Sequence, residues 1–362
     1  MLHFAAIARM AMRTTRHLMA LLLAAALAPS SALAAGAPCY RGVNLSGGEY
    51  GERGGTYGTN YTYPSEETIR YFGEKGMTII RLPFRWERLQ PALGGRLDDG
   101  EIKRLKDAVG LIRKHGMAVL LDPHNFGYYD KTQLGTAPAT NGGFADFWAR
   151  LAVEFANRDG ILFGLMNEPH DIKATDWLNA ANAAIRSIRA TGARNLILVP
   201  GTAWSGAASW EKDVIGGANG TVMLGVRDPL DFYAFEVHQY LDADSSGTHP
   251  TCEGADAAVE AIAGFTAWLK RNHKRGFLGE FGASTDKDCL DGLTKIYATM
   301  SGNNDVWLGW SYWAAGEWWP ADEPFNIQPH GGAERPQMRL LAEAVNAKAK
   351  AGACTAVKPA GN

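Results

Sequence analysis

The chain reads as a single-domain (β/α)8 barrel of the TIM type, in the α/β class. Three observations lead there. From residue 41 short apolar runs alternate with amphipathic stretches; the runs number eight; and none is followed by a nucleotide-binding glycine loop. Eight strand–helix alternations over about 320 residues suit one barrel. The competing open doubly wound sheet normally carries GxGxxG or GxxxxGK[ST] at a strand end, and neither motif occurs at one here.

In chain order, the runs place strands at Gly42–Ser46, Met77–Phe84, Met117–Pro123, Ile161–Met166, Asn195–Pro200, Phe232–Tyr240, Gly276–Phe281 and Val306–Trp313. Each is nearly continuously apolar, as a parallel strand buried on both faces requires. Helices are expected at Ser65–Lys75, Asp99–Lys114, Phe144–Asn157, Asp176–Ala190, Ala255–Arg271, Asp288–Met300 and Pro336–Ala349. Ser65 followed by Glu66 and Glu67 marks a helix start with acids in its first turn. The stretch between Trp204 and Val222 is rich in Gly and Ala and gives the weakest helical signal.

The ends of the chain belong to processing and fraying. Arg9, Arg13 and Arg16 precede the apolar run Leu18–Ala28, and small residues follow up to Ala34. That order is expected of a secretory signal over residues 1–34, too short for a spanning helix and cleaved after Ala34. The catalytic domain would then cover 35–350, with a tail at 351–362. Export, whether to the periplasm or outside the cell, lets Cys39, Cys252, Cys289 and Cys354 be read as disulfides. In a barrel, Cys39 before strand one and Cys354 after the last helix both lie at the bottom. Cys252 and Cys289 follow strands six and seven at the top. Cys39–Cys354 and Cys252–Cys289 are therefore the expected pairs.

Composition excludes several function classes. Hydrophobic residues make up 46% and charged residues 20%, an ordinary globular balance. A formal net charge of −2 without a basic stripe offers nothing to nucleic acid. No Gly-x-Ser-x-Gly elbow is present, and His and Asp are not spaced as metal ligands. Neither a metal nor an organic cofactor is expected, and the protein should act as a monomer away from membranes once its signal is removed.

Barrel active sites form where strands end. Those ends carry Arg81, His124-Asn125, Asn167-Glu168, then Glu236, His238 and Tyr240 on one face of strand six, Glu280 and Trp313. A carboxylate where a buried strand emerges is costly unless used or paired. Pro169 should hold Glu168 extended and end its strand. Two Glu around a cleft rich in Trp suit glycoside hydrolysis. Five of the 11 Trp lie between Trp307 and Trp319, and such rings stack well on sugars.

The stretches Leu165-Met166-Asn167-Glu168-Pro169-His170, Phe235–Tyr240 and Phe277–Gly282, with the Trp313–Trp319 segment, resemble glycoside hydrolase family 5, the (β/α)8 cellulase family. The likeness is greatest to its endo-β-1,4-glucanase branch and spans nearly the whole chain after residue 40. It implies a retaining mechanism on a β-glucan, with Glu168 as acid/base and Glu280 as nucleophile. Arg81 and Tyr240 would keep Glu280 ionised, and Asn167 would hold the sugar 2-hydroxyl. His124 and His238 would fix sugar and carboxylates, and Trp313 would stack at the cleavage point. Trp204, Trp210, Trp318 and Trp319 are candidates for neighbouring subsites. Asn125 and Glu236 fall in the site region without an assigned role. The same machinery on mannan, xyloglucan or mixed-linkage glucan is the alternative reading; a non-catalytic sugar-binding barrel would not need both Glu and Arg81.

Overall fold

In the computed structural model, which describes residues 38–346, the eight apolar runs close into one parallel barrel. Its strands are β1 (Tyr40–Leu45), β2 (Ile79–Phe84), β3 (Ala118–Pro123), β4 (Ile161–Gly164), β5 (Ile197–Pro200), β6 (Tyr233–His238), β7 (Gly276–Glu280) and β8 (Trp307–Ala315). Each pairs with its neighbours in sequence, and β8 closes onto β1 with Gly42 opposite Ser311.

The outer ring comprises α1 (Glu66–Glu74), α2 (Asp99–Lys114), α3 (Asn141–Phe155), α4 (Ala174–Ala190), the single turn α5 (Asn219–Val222), α6 (Ala255–Arg271), α7 (Lys287–Gly302) and α8 (Pro336–Asn346). Their starts are capped by side chains where the sequence supplies Ser, Asp or Thr. Ser65 Oγ accepts from Thr68 N at 3.2 Å, Asp98 Oδ1 from Glu101 N at 2.8 Å, and Thr140 Oγ1 from Gly143 N at 3.1 Å. Helical spacing decides what each buries. Leu105, Ala108, Val109 and Ile112 form the inner stripe of α2.

Strand alternation sorts apolar residues into two packed layers. Ile79, Leu120, Leu162, Leu198, Ala234, Phe277 and Leu308 fill the barrel interior. Ile80, Leu121, Phe163, Val199, Phe235 and Leu278 face the helices. The interior layer forms an apolar floor, so polar side chains further along the strands are held at the mouth.

Several expectations need correcting. The fourth strand leaves the ladder after Gly164 rather than Met166. Glu168 is not extended: its φ is +42°, in the left-handed region, despite the following Pro169. The surrounding chain is tied by Asn167 N to Pro123 O and by Trp204 N to Pro169 O, and these bonds outweigh the local preference of a residue before proline. Between Trp204 and Val222 the chain forms short 3-10 turns, Ala203–Ser205 and Ala207–Ser209, and then α5, because no amphipathic stripe there can support a longer helix. A two-residue hairpin, Tyr128–Tyr129 with Thr132–Gln133, is too short to show in the sequence pattern.

Cys252 and Cys289 are bonded, with Cα atoms 5.2 Å apart, and tie the loop after β6 to α7. Cys354, the expected partner of Cys39, lies outside the described residues, as do the signal segment and the tail. Among the described residues no helix is long and apolar enough to cross a membrane.

Candidate active site

Directly above the apolar floor lies a buried ionic layer centred on Arg81, whose side chain has no exposed surface. Its Nε donates to Glu236 Oε1 at 3.0 Å, Nη1 to Asn44 Oδ1 at 2.9 Å and to Glu280 Oε1 at 2.8 Å, and Nη2 to Asn167 Oδ1 at 2.8 Å. Asp122 Oδ2 lies 3.1 Å from Nη1. Burial alone would loosen the guanidinium's hold on its proton. Asp122, Glu236, Glu280 and Glu168 outweigh that effect and tighten it. Asp122, fully enclosed, pays for burial with an upward push that Arg81 and His124 overcome, holding its carboxyl below the ordinary range.

Glycines make room for this layer. A Cβ on Gly279 would come 2.1 Å from Glu236 Oε1, and that glycine is also where the β6–β7 register slips. Phe277 points into the barrel and Leu278 outward, so strict alternation would send Glu280 outward. The slip pairs His238 with Glu280 and brings the carboxylate to the mouth.

Glu280 then has both oxygens engaged, Oε1 by Arg81 and Oε2 by the Tyr240 hydroxyl at 2.7 Å. Burial and the Glu280 charge push the Tyr240 hydroxyl far above its usual pKa, so it stays a donor. Glu168 approaches from the end of β4. Its Oε1 lies 2.7 Å from His238 Nδ1. One oxygen of Glu168, one of Glu280 and a His238 nitrogen all lie within 4.8 Å of one another. Burial disfavours charge on His238, yet Glu280, Glu168 and Glu236 overcome it and push its pKa up to about 10.

His124 faces Asp122 through Nδ1 at 2.8 Å. Because Asn167 Oδ1 serves Arg81, its amide nitrogen faces His124 Nε2 at 3.1 Å, which makes that nitrogen an acceptor. Trp313 stacks on His124 with centroids 5.4 Å apart and 18° between planes. On the side of Glu168, a groove of about 690 Å³ is lined by Glu168, Trp204, Ser209, His238, Tyr240 and Ser245, among others. Trp204 is half exposed, its ring stacked on His170 at 4.8 Å.

All eight sequence-derived site residues, Arg81, His124, Asn167, Glu168, His238, Tyr240, Glu280 and Trp313, therefore converge at one mouth. Glu236 joins them through Arg81, and Trp204 lines the groove, but Trp210 and Asn125 do not. Trp210 is 1% exposed and packs on Phe235, Phe265 and Trp268, so it belongs to the core. Asn125 turns away, accepting from Trp86 N and donating to Glu87. Trp319 meets the edge of Trp313 at 6.0 Å, and Trp318 stands 38% exposed nearby in sequence. Sequence reading passed over Asp122 and Asn44. Asp122 had a signal, since it sits two residues before His124 and so on the same strand face.

The donor sets do not suit a metal. In the Glu168–His238–Glu280 cluster, the oxygens of Glu280 accept from Arg81 and Tyr240, and His238 is occupied by Glu168. In a second cluster of Asp242, Asp244 and His249, Asp242 already accepts from Ser246 Oγ and from the N–H groups of Gly247, Thr248 and His249.

A family model described as cellulase (glycosyl hydrolase family 5) matches residues 34–316. Among solved structures, an endo-beta-1,4-glucanase from Xanthomonas axonopodis pv. citri is 46% identical, with a TM-score of 0.83, covering 84% of this chain and 98% of that one. XacCel5A in complex with cellopentaose is 45% identical at the same TM-score, covering 85% and 99%. Endo-beta-1,4-glucanase B of Emericella nidulans is 36% identical over 294 residues, 80% of this chain and 86% of its own length. With a fold, a mouth and a whole-domain likeness in agreement, this chain belongs to the cellulase family, glycosyl hydrolase family 5.

Proposed function

We propose that the protein is an endo-β-1,4-glucanase that cuts inside cellulose-type chains with retention of configuration. The observation that carries the mechanism is the close approach of the two carboxylates: one oxygen of Glu168 and one of Glu280 lie within 4.8 Å, and both residues face His238 Nδ1, at 2.7 and 3.6 Å. Retaining glycosidases hold their carboxyls about 5–5.5 Å apart, and inverting ones about 6.5–9.5 Å to admit a water. The relatives named as endo-beta-1,4-glucanases and the cellopentaose complex of XacCel5A support the substrate class.

Glu280, locked between Arg81 and Tyr240, attacks the anomeric carbon. Glu168 gives its proton to the departing glycosidic oxygen, and the C–O bond breaks as the glycosyl–Glu280 bond forms. Glu168, now a base, takes a proton from water; the water oxygen attacks the same carbon and frees Glu280. Asn167 keeps a second N–H for the sugar 2-hydroxyl. Trp313 supplies an apolar face beside the reacting ring. Residues 1–34 act as an export signal, 35–350 as the catalytic domain and 351–362 as a tail. The enzyme works outside the cytoplasm as a monomer.

A panel of soluble β-1,4-glucan, mannan, xylan, xyloglucan and mixed-linkage glucan tests the substrate, scored by viscosity loss and new reducing ends. Fastest shortening of the β-1,4-glucan is expected, and faster action on mannan would replace that substrate. Glu280→Gln should lower kcat by about 10³-fold or more while leaving the fold intact. A variant retaining a few per cent of activity would remove Glu280 from the nucleophile role. Proton NMR of the first product should show the β-anomer; an initial α-anomer would mean inversion.

A further inference from the structure

The reaction just described leaves two buried carboxylates of the site unused, Asp122 beside His124 and Glu236 beside His238. Glu236 is 1% exposed, points into the barrel two residues before His238, and touches two groups of opposite function. Its Oε1 accepts from Arg81 Nε at 3.0 Å and lies 3.5 Å from His238 Nε2. The other His238 nitrogen faces Glu168 at 2.7 Å. The imidazole is thus gripped at both ends by carboxylates, one sealed behind Gly279 and one at the open groove.

We propose that Glu236 is a positioning residue for the proton transfer: from behind His238 it fixes the ring with Nδ1 toward Glu168, and so sets how firmly Glu168 and His238 together hold the proton delivered to the leaving group. This rests on Glu168 being the acid/base. The charged and titratable groups around His238 are Glu236 from β6, Tyr240 just after it, Glu168 after β4, Glu280 from β7, Arg81 from β2 and Asp122 from β3. Of these, Glu280, Glu168 and Glu236 outweigh burial and push the His238 pKa up to about 10. Removing the Glu236 charge takes away one of the three carboxylates that tighten the hold of His238 on its proton, on the ring whose Nδ1 faces Glu168.

The test is Glu236→Gln, assayed with two substrates of one glycone. An unactivated cello-oligosaccharide needs full proton donation, whereas 2,4-dinitrophenyl β-cellobioside leaves with little help. The variant should slow the first by about 10–100-fold and the second by less than about threefold. The basic limb of its kcat/KM profile should fall by about one pH unit. Equal slowing of both substrates with an unmoved basic limb would reduce Glu236 to a structural support of Arg81 and overturn the proposal. Glu168→Ala on the same pair, with azide added, checks the underlying reading separately. Azide should restore turnover of the dinitrophenyl substrate and yield a β-glycosyl azide; no rescue would sink the acid/base assignment itself. If Glu236→Gln does not fold, ring nitrogen NMR of the unaltered enzyme decides. Both His238 nitrogens should carry protons at pH 8, and a neutral ring at that pH would overturn the proposal.

Discussion

A guanidinium with no exposed surface is tolerable only where its donors find acceptors and its charge finds partners. Arg81 meets that condition with Glu236, Asn44, Glu280 and Asn167, and with Asp122 beside them. Arg81→Met should cost about 3–5 kcal/mol in urea unfolding, because it strands buried carboxylates. Arg81→Lys should recover little activity, since one compact ammonium cannot serve the same spread of acceptors. His238 carries a pH signature. Its folded pKa of about 10 lies above the ordinary 6.5, so the folded chain binds that proton more tightly. The stability it contributes is complete below about pH 6.5 and is lost as pH rises through about 10. The stability gap between the unaltered protein and His238→Asn, followed by denaturant titration across that window, should shrink; a constant gap would mean the ring carries no charge. Arg81, His238 and Glu280 were legible in the sequence because charge at the end of an apolar run is conspicuous. Asp122 and Asn44 were not singled out, for their importance comes from flanking Arg81 on the two neighbouring strands.

Whole elements tell the same story in their spacing. Period-two alternation in β6 places Glu236 and His238 on one face, and Tyr240, two residues past the strand's end, continues it to the mouth. In β7 that rule would send Glu280 outward, and the register slip against β6 overrides it. The tryptophans divide in a way that composition cannot show. Trp210 is locked among Phe235, Phe265 and Trp268, while Trp204 stands half exposed on His170. Trp210→Ala should therefore cost about 3–5 kcal/mol in thermal or urea unfolding. Trp204→Ala should stay within about 0.5 kcal/mol and act instead on KM for long substrates. The loop after β6 is pinned twice, by Asp242 accepting N–H groups from within it and by Cys252–Cys289. Cys289→Ala should lower stability by about 2–4 kcal/mol, read as a reduced denaturation midpoint.

At the scale of the molecule, the barrel separates an apolar floor from an ionic layer and an open mouth. That order lets charges cluster: the floor beneath them is apolar, and Arg81 meets Asp122, Glu236 and Glu280 directly above it. Eight apolar runs, seven of them followed by a helix-forming stretch, determined the barrel from sequence alone, because alternating burial leaves few other ways to cover both faces of a parallel sheet. The same runs, with polar residues at their ends, determined which side chains share the mouth. Tertiary structure alone decided the rest. Glu168 takes a left-handed backbone because hydrogen bonds around it outweigh the preference imposed by Pro169. Glu280 faces inward because β7 slips against β6. Glu236 lies between Arg81 and His238 because Gly279, a strand away, leaves it space. Each depends on contacts between residues far apart in the chain, which no local pattern records.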